Sequence, residues 1–402
     1  MLRLLTLASL LTLAAAQTDP LPRVAPQSVG LSAERLNEAT ALLKQFVAEN
    51  KISGAVAGVA RKGKLAYLEA AGVQNLESQT PMTSDSLFRI YSMTKSVTAV
   101  AVMILHEEGR FRLEDPVSKY LPEFNDVRVP ASDGSTRQPT QPITVRDLLL
   151  HTSGLNHRTS NEYRRAQVRS RDISLPQFIK NIVRVPLMED PGTRYRYSES
   201  PTVLGRLVEI WSGKAFDVFL TERVLKPLGM NDTVFSVGPE KRLRLTTVYA
   251  LQSGGLSPVE IETLPFTERP ALIEGAVGLV STVPDYLRFC QMLLNKGELA
   301  GARILTARTV ESMTTNGLSP AIQAARGGSF GWGLANVNVV LDADRLNYPA
   351  GRGEYGWDGS AGTIFWIDPA KEMITILMTQ SSPANPDSLR QRFKRLVEQA
   401  VL

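Results

Sequence analysis

The chain has 402 residues, of which 43% are hydrophobic and 21% charged, proportions typical of a globular protein with a large core. The net charge of +5 comes from basic residues mixed with acidic ones along most of the chain, which argues against a nucleic-acid-binding protein. The densest basic stretch, residues 158–171, is predicted to be a solvated loop or helix face rather than a partner site. Cys290 is the only cysteine, so no internal disulfide holds the fold.

The N-terminus has the three parts of a secretory signal. Residues 1–3 give a short basic start, residues 4–13 form an apolar run, and residues 14–16 are alanines that suit a cleavage site. The apolar run is too short for a permanent anchor, and no later stretch is long enough to span a bilayer. We therefore expect a signal peptide at residues 1–16 and a secreted or periplasmic mature protein. The alternative is an N-terminal core helix.

Helices and strands are predicted mainly towards the two ends of the chain. In chain order they are a helix capped by Ser32, strands at 52–60 and 64–71 joined by a turn at Lys62-Gly63, a helix at 92–108, strands at 332–341, 362–367 and 373–380, and a final helix at 386–402. Both ends are expected to contribute to one antiparallel sheet packed by helices.

Residues 126–270 are rich in Pro and Arg and contain few alternating patterns, which predicts loops and helices. The expected fold is therefore α+β, with an α/β sheet lobe formed by residues 28–125 and 271–402. Residues 126–270 would form an inserted, mainly helical lobe. A cleft between two lobes is a common place for a binding site.

A serine and a lysine stand three residues apart at the start of a predicted helix, in Ser92-Met93-Thr94-Lys95. Residues at this spacing share a helix face, so the Lys95 side chain can reach the Ser92 hydroxyl. The helix N-terminus favours a developing oxyanion, and a partly desolvated lysine can be neutral near pH 7 and accept the serine proton. The spacing alone is weak evidence, because about one such pair is expected by chance in this length.

A second serine competes with the first. Residues 327–331 read Gly-Gly-Ser-Phe-Gly, which fits the Gly-x-Ser-x-Gly elbow of α/β-hydrolases around Ser329. That elbow leads into a helix and needs a later histidine, whereas His106, His151 and His157 all precede Ser329 and a predicted strand follows it. We therefore predict a glycine-rich turn at Ser329. The histidines also lack the spacing of a hydrolytic zinc site.

Four further segments accompany the Ser-Lys pair. In chain order the five are Ser92–Lys95 (S-x-x-K), Ile143–Leu155 (LLxHTSGL), Pro191–Ser198 (PGxxxxYS), Gly278–Phe289 (GLxSTxxDxxRF) and Trp357–Gly362, in the place of a K-T-G strand. Together they resemble the serine β-lactamase and penicillin-binding-protein superfamily, and in particular its class C β-lactamase-like branch. The resemblance covers about residues 28–400 and implies the same α+β fold.

The resemblance also implies roles for individual residues. Ser92 would be the nucleophile, Lys95 its proton partner and Tyr197 the third catalytic group, since a phenol near a lysine ammonium can have its pKa lowered enough to act as a base. It leaves open whether Lys95 or Tyr197 is the base in each step. The backbone N–H groups of Ser92 and Ser360 would form the oxyanion hole. His151 is expected to stabilise a turn by hydrogen bonding.

Two departures from the class C pattern concern the substrate. Glu199 replaces the asparagine of Tyr-x-Asn and would place an acid near the pocket. Trp357 replaces the lysine of Lys-Thr-Gly, which removes a cation suited to a substrate carboxylate and leaves a flat apolar wall ahead of Gly359. This W-x-G variant resembles the family VIII carboxylesterases and implies neutral, short-chain esters as substrates. The alternative is that Trp357 is a core residue.

The sequence therefore predicts a serine hydrolase that works through an acyl-enzyme on a small-molecule ester or amide, with a carboxylesterase favoured. No metal, organic cofactor or nucleic-acid partner is expected. The alternatives on the same scaffold are a β-lactamase, a D-amino-acid peptidase and an acyl transferase. A non-catalytic penicillin-binding sensor is disfavoured, because no membrane span or signalling domain is predicted. The oligomeric state and the natural substrate are not predicted.

Overall fold

The computed structural model describes residues 21–261 and 265–402, so the predicted signal peptide at residues 1–16 lies outside the described residues. The strands are β1 (Gly54–Arg61), β2 (Lys64–Asn75), β3 (Thr80–Pro81), β4 (Phe88–Arg89), β5 (Val129–Pro130), β6 (Thr136–Arg137), β7 (Tyr249–Gln252), β8 (Gly255–Pro258), β9 (Val280–Ser281), β10 (Glu298–Leu299), β11 (Ala302–Arg303), β12 (Phe330–Gly333), β13 (Val337–Val340), β14 (Tyr355–Asp358), β15 (Ile364–Asp368), β16 (Met373–Thr379) and β17 (Ser381–Ser382).

The α-helices are α1 (Ala33–Ala48), α2 (Thr94–Glu107), α3 (Val145–Leu150), α4 (Asn161–Arg165), α5 (Leu175–Ile182), α6 (Ser200–Ser212), α7 (Phe216–Leu220), α8 (Val283–Leu294), α9 (Ala307–Thr314), α10 (Pro320–Ala325) and α11 (Leu389–Gln399). A π-helical turn, Thr221–Leu225, continues α7. Short 3-10 turns include Tyr91–Met93 ahead of α2 and Pro386–Ser388 ahead of α11. In the part of the chain that the structure describes, no helix is both long and apolar enough to cross a membrane.

The central sheet has eight antiparallel strands in the order β12-β13-β14-β15-β16-β1-β2-β3. Strand β1 lies between β2, its neighbour in sequence, and β16 from the C-terminal region, with Ala57 opposite Leu377. A bridge between Leu31 and Val401 brings the two ends of the described chain together. The prediction that both ends build one antiparallel sheet is confirmed. The division into a sheet lobe and a lobe at residues 126–270 stays a prediction.

Helices cover both faces of the sheet. Helices α1 and α11 pack on one face through apolar residues such as Phe46 and Phe393. Helix α8 packs on the other face, where a side chain at Gly58 of β1 would lie 2.8 Å from Val283. Helix α2 is buried along almost its whole length, as expected of a helix that is apolar on all sides. Its N-terminal end, where Ser92 and Lys95 lie, is therefore held rigidly by the core.

Several predicted elements are confirmed and one is wrong. The Ser32 side chain accepts the Arg35 N–H at 3.3 Å and caps α1 as predicted. The single strand predicted at 332–341 is a hairpin of β12 and β13, because the chain reverses at Asn336, whose φ is +56°. Residues 126–270 contain two hairpins, β5–β6 and β7–β8, in a region expected to have few strands.

Candidate active site

Ser92 lies in the 3-10 turn that leads into α2, so its hydroxyl stands at the N-terminal end of a buried helix. Its side chain is half-buried, while its neighbours Tyr91 and Met93 are buried. Tyr91 has a φ of +41°, a conformation that costs energy for a bulky residue and is found mainly at functional sites. The fold thus holds Ser92 in a constrained and accessible position.

Lys95 is buried, with only 1% of its surface exposed. Among the described residues, its Nζ donates to Ser92 Oγ at 3.3 Å and to the Ala276 carbonyl at 2.9 Å, and neither oxygen carries a formal charge. Burial away from water lowers the pKa of Lys95 to about 7, although the negative charge of Glu199 opposes the shift. A large share of Lys95 is therefore neutral near pH 7 and able to accept the Ser92 proton.

Tyr197 lies in the loop ahead of α6 and faces the Ser-Lys pair. The Lys95 Nζ sits over its ring, 4.7 Å from the centroid, and the Ser92 hydroxyl hydrogen-bonds to the phenol. Trp357 Nε1 donates to the phenol oxygen at 3.0 Å. The structure thus brings together the hydroxyl, the amine and the phenol that the sequence predicts as catalytic groups, although Tyr197 is about 100 residues away from the Ser-Lys pair in sequence.

The expected direction of the Tyr197 pKa shift is wrong. The phenol is fully buried, and burial raises its pKa well above the ordinary value, by more than its hydrogen bonds to Ser92 and Trp357 lower it. Tyr197 is therefore protonated at neutral pH and available as a hydrogen donor. Of the two candidate bases, Lys95 is the one whose pKa suits proton acceptance near pH 7.

His151 holds the loop that carries Tyr197. It ends α3 with a φ of +56°, and its carbonyl accepts the Arg196 N–H at 2.7 Å. Its Nδ1 accepts the Ser198 N–H at 3.2 Å, and its ring lies 4.8 Å from that of Tyr197. The predicted role of His151 as a turn-stabilising hydrogen bonder is confirmed. Its contacts on both sides of Tyr197 fix the direction of the phenol.

Trp357, on β14, forms one wall beside the phenol. Its ring is half-buried, 5.2 Å from that of Tyr197 and 4.6 Å from that of Trp332 in an edge-to-face arrangement. Trp332 is fully buried and donates to the Leu149 carbonyl. Trp357 is thus packed against the core on one side and partly open on the other.

Gly359 and Ser360 form the turn that follows β14. A side chain at Gly359 would lie 2.5 Å from the carbonyl oxygen of Ile90, so only glycine allows this turn to approach the segment before Ser92. Thr363 Oγ1 donates to the same Ile90 carbonyl, and Ser360 is exposed. The fold therefore places Ser360 next to the nucleophile turn, and the role of its N–H in an oxyanion hole stays a prediction.

Glu199 is buried, with 1% of its surface exposed, directly ahead of α6. Its Oε2 accepts a hydrogen bond from Thr202 Oγ1 at 2.9 Å, and its charge raises the pKa of both Lys95 and His157 against their burial. The structure places this acid close enough to Lys95 and His157 to influence both. Its position at a substrate pocket and its contact with a substrate stay predictions.

Sequence reasoning missed three residues that shape the site. The Ala276 carbonyl holds Lys95, Trp332 supports Trp357, and Arg390 of α11 pairs with Asp358 and donates to the Gly359 carbonyl at 3.0 Å. Only Ala276 has a sequence signal, since it stands two residues before the Gly278 motif. Ser329, the competing serine, lies in a turn after Gly327 and Gly328 that enters β12, as predicted.

The carboxylates of Glu354, Asp368 and Glu398 approach within 4.8 Å of one another. Lys394 Nζ is 2.8 Å from Glu354 and 2.7 Å from Glu398, and Lys371 Nζ is 2.8 Å from Asp368. The ammonium groups neutralise most of the negative charge of this cluster, which we interpret as a buried ion-pair network.

An antiparallel sheet with helices on both faces, carrying a Ser-Lys pair at the start of its buried helix, defines a serine hydrolase of the β-lactamase and penicillin-binding-protein class. The sequence profile of the Beta-lactamase family matches residues 39–399, and the chain belongs to that family.

Its relatives include a mycobacterial protein and an esterase. The chain is 34% identical to Protein Rv1367c of Mycobacterium tuberculosis, over 83% of this chain and 86% of that one. It is 30% identical to Esterase EstB of Burkholderia gladioli, over 85% of this chain and 89% of that one. Among solved structures, it is similar to "EstCE1, a hydrolase with promiscuous acyltransferase activity", with a TM-score of 0.80, 25% identity, and coverage of 91% of this chain and 98% of that one.

Proposed function

We propose that this protein is a carboxylesterase that cleaves uncharged, short-chain esters through an acyl-enzyme on Ser92. The observation that carries the proposal is Trp357, an apolar ring with a single N–H, in the position where the β-lactamase pattern has a lysine. That N–H is engaged by the Tyr197 phenol at 3.0 Å, so this wall of the site offers no charge to a substrate carboxylate. The similarity to Esterase EstB supports the same choice.

In the proposed acylation step, the neutral Lys95 amine takes the Ser92 proton and Oγ bonds to the ester carbonyl carbon. The bond from that carbon to the alcohol oxygen then breaks. Tyr197, which is protonated at neutral pH, gives its proton to the departing oxygen and regains one from the Lys95 ammonium. The N–H groups of Ser92 and Ser360 would stabilise the carbonyl oxygen as it becomes negative.

Deacylation uses the same base, Lys95, with water as the nucleophile. A water oxygen bonds to the acyl carbon while Lys95 takes one of its protons, and the bond from that carbon to Ser92 Oγ breaks. The Lys95 ammonium returns the proton to Oγ, which restores the free enzyme and releases a carboxylic acid. An alcohol in the place of water would give a new ester, and the promiscuous acyltransferase activity of EstCE1 makes transfer to alcohols the second candidate function.

The substrate preference is tested by comparing p-nitrophenyl butyrate, nitrocefin and a D-Ala-D-Ala peptide at equal enzyme concentration. We expect the ester to have the highest kcat/KM by at least about 100-fold, since a carboxylate facing Trp357 finds no cation. Trp357→Lys is expected to lower the ratio of kcat/KM for the ester to kcat/KM for nitrocefin about tenfold or more, because it restores the cation. Trp357→Phe keeps an uncharged aromatic ring without the N–H and serves as the matched control, which should leave the ratio near that of the wild type. Equal or faster lactam turnover by the wild type would contradict the ester preference.

We further propose that the protein is exported by a signal peptide at residues 1–16, on the strength of the basic start, apolar run and alanine site. Expression of the full chain in a bacterial host should give an extracytoplasmic protein whose N-terminal sequence begins near Gln17. An unprocessed protein that stays with the cytoplasmic fraction would contradict export.

A further inference from the structure

His157 lies beside the catalytic phenol but has no role in the mechanism above. It follows the HTSGL segment by two residues, and its ring stacks on that of Tyr197, with centroids 5.7 Å apart and planes inclined by 25°. The side chain is half-buried, so part of it faces open space. A polar ring with this position and exposure can contact a substrate bound between Ser92 and Tyr197.

The hydrogen bonds of His157 determine which of its nitrogens carries the proton. Nδ1 accepts the Thr159 N–H at 3.3 Å and lies 2.7 Å from Thr159 Oγ1. A backbone N–H can only donate, so Nδ1 is an acceptor and the neutral ring carries its proton on Nε2. Among the described residues, Nε2 has no hydrogen-bond partner. It is therefore a donor that no described residue engages, at the edge of the ring opposite Thr159.

The surroundings of His157 keep the ring neutral. Burial lowers its pKa below the ordinary value, and the positive charges of Lys95 and Arg158 lower it further, while Glu199 opposes them. Near pH 7 the ring therefore presents an uncharged N–H donor rather than a cation. Such a donor suits an oxygen that gains negative charge only during the reaction.

We propose that the Nε2–H of His157 donates a hydrogen bond to the alcohol oxygen of the ester as the bond from that oxygen to the acyl carbon breaks. The inference rests on the proposed esterase function, in which Tyr197 protonates the same oxygen. Because the His157 ring stacks on the Tyr197 ring, with centroids 5.7 Å apart, its Nε2–H lies beside the phenol that protonates the departing oxygen. Two donors, one from each ring, then share the developing charge.

This role predicts a dependence on the leaving alcohol. The value of kcat/KM reports steps up to the loss of the alcohol, so it senses any group that assists the departing oxygen. p-Nitrophenolate is a stable anion and needs little assistance, whereas ethoxide needs much. His157→Ala should lower kcat/KM about 3-fold for p-nitrophenyl butyrate and about 30-fold or more for ethyl butyrate.

Two conservative variants sharpen the test. The side-chain amide nitrogen of His157→Gln reaches about as far as Nε2, whereas that of His157→Asn reaches only as far as Nδ1. We expect Gln to restore most of the activity on ethyl butyrate and Asn to restore little. His106→Gln, at the far end of α2, is the matched control and should leave both rates unchanged.

The outcomes separate this inference from the proposed function. A similar loss for both esters in His157→Ala, or an equal rescue by Asn and Gln, would show a purely structural histidine and overturn the inference while the esterase assignment stands. The absence of ethyl and p-nitrophenyl ester hydrolysis by the wild type would instead overturn the proposed function. A selective loss on ethyl butyrate with rescue by Gln alone supports the inference.

Discussion

Ser92→Ala is expected to lower the kcat for p-nitrophenyl butyrate by at least about 10³-fold, because the variant has no oxygen with which to form the acyl-enzyme. The fold should be unaffected, since the half-buried hydroxyl makes its contacts only within the site. Ser329→Ala is the matched control, because Ser329 is the other serine with a nucleophile-like motif and lies in a surface turn. It should keep wild-type activity.

The covalent adduct gives a direct measurement of the same prediction. Intact-protein and peptide mass spectrometry after brief incubation with the ester, or with a fluorophosphonate probe, should place the added mass on the peptide that contains Ser92. Neither reagent should modify Ser92→Ala, and both should modify Ser329→Ala. If Ser92→Ala kept full turnover, or the adduct mapped to Ser329, the proposed mechanism would be wrong.

Lys95→Met is expected to lose at least about 10³-fold in kcat/KM and at the same time to stabilise the protein. The activity falls because methionine cannot accept the Ser92 proton. The stability rises because the native fold holds Lys95 in a buried place with two uncharged acceptors, whereas methionine fills a similar volume without a charge. A variant that is both inactive and more stable would show that the buried Lys95 amine lowers the free energy of unfolding of the wild-type protein.

The pH dependence follows from the direction of the pKa shift. The pKa of Lys95 is lowered from 10.5 to about 7 on folding, so between these values the unfolded chain binds more protons than the native one. The free energy of unfolding of the wild type should therefore rise with pH across this window relative to that of Lys95→Met. Below pH 7 the variant should be more stable by an amount on the order of 5 kcal/mol. The wild-type kcat/KM should rise with pH to a plateau above about pH 7.

Lys394→Met provides a control for which the expected change in stability has the opposite sign. Lys394 is as buried as Lys95, but it is paired with Glu354 and Glu398 at 2.8 and 2.7 Å. Its replacement leaves the buried carboxylate of Glu354 without its ion-pair partner, while Glu398 keeps Lys371 at 2.7 Å. It should destabilise the protein by about 3–5 kcal/mol with little effect on the chemical step. Thermal and urea unfolding from pH 6 to pH 9 measure both variants. A destabilised Lys95→Met variant, or one that retains activity, would contradict the prediction.

The parts of this protein that the sequence determined are those set by neighbouring residues. The helix capped by Ser32 and the strand pair on either side of Lys62-Gly63 follow from capping, periodicity and turn residues. The proximity of Lys95 to Ser92 follows from the three-residue spacing on one helical face. The hairpin at Asn336 was missed because its turn signal is a single asparagine, a residue that tolerates positive φ, within a mostly apolar stretch.

Only the tertiary structure decided how the catalytic groups behave. The pKa of Lys95 near 7 results from burial beneath the Ala276 carbonyl, 181 residues away in sequence, and the raised pKa of Tyr197 results from its full enclosure. Proton affinity depends on the water and charges that surround a group, and those surroundings come from distant parts of the chain. The spacing of residues could therefore identify the candidate reacting groups, while the packing of the fold favours the amine as the base and the phenol as the acid of the proposed mechanism.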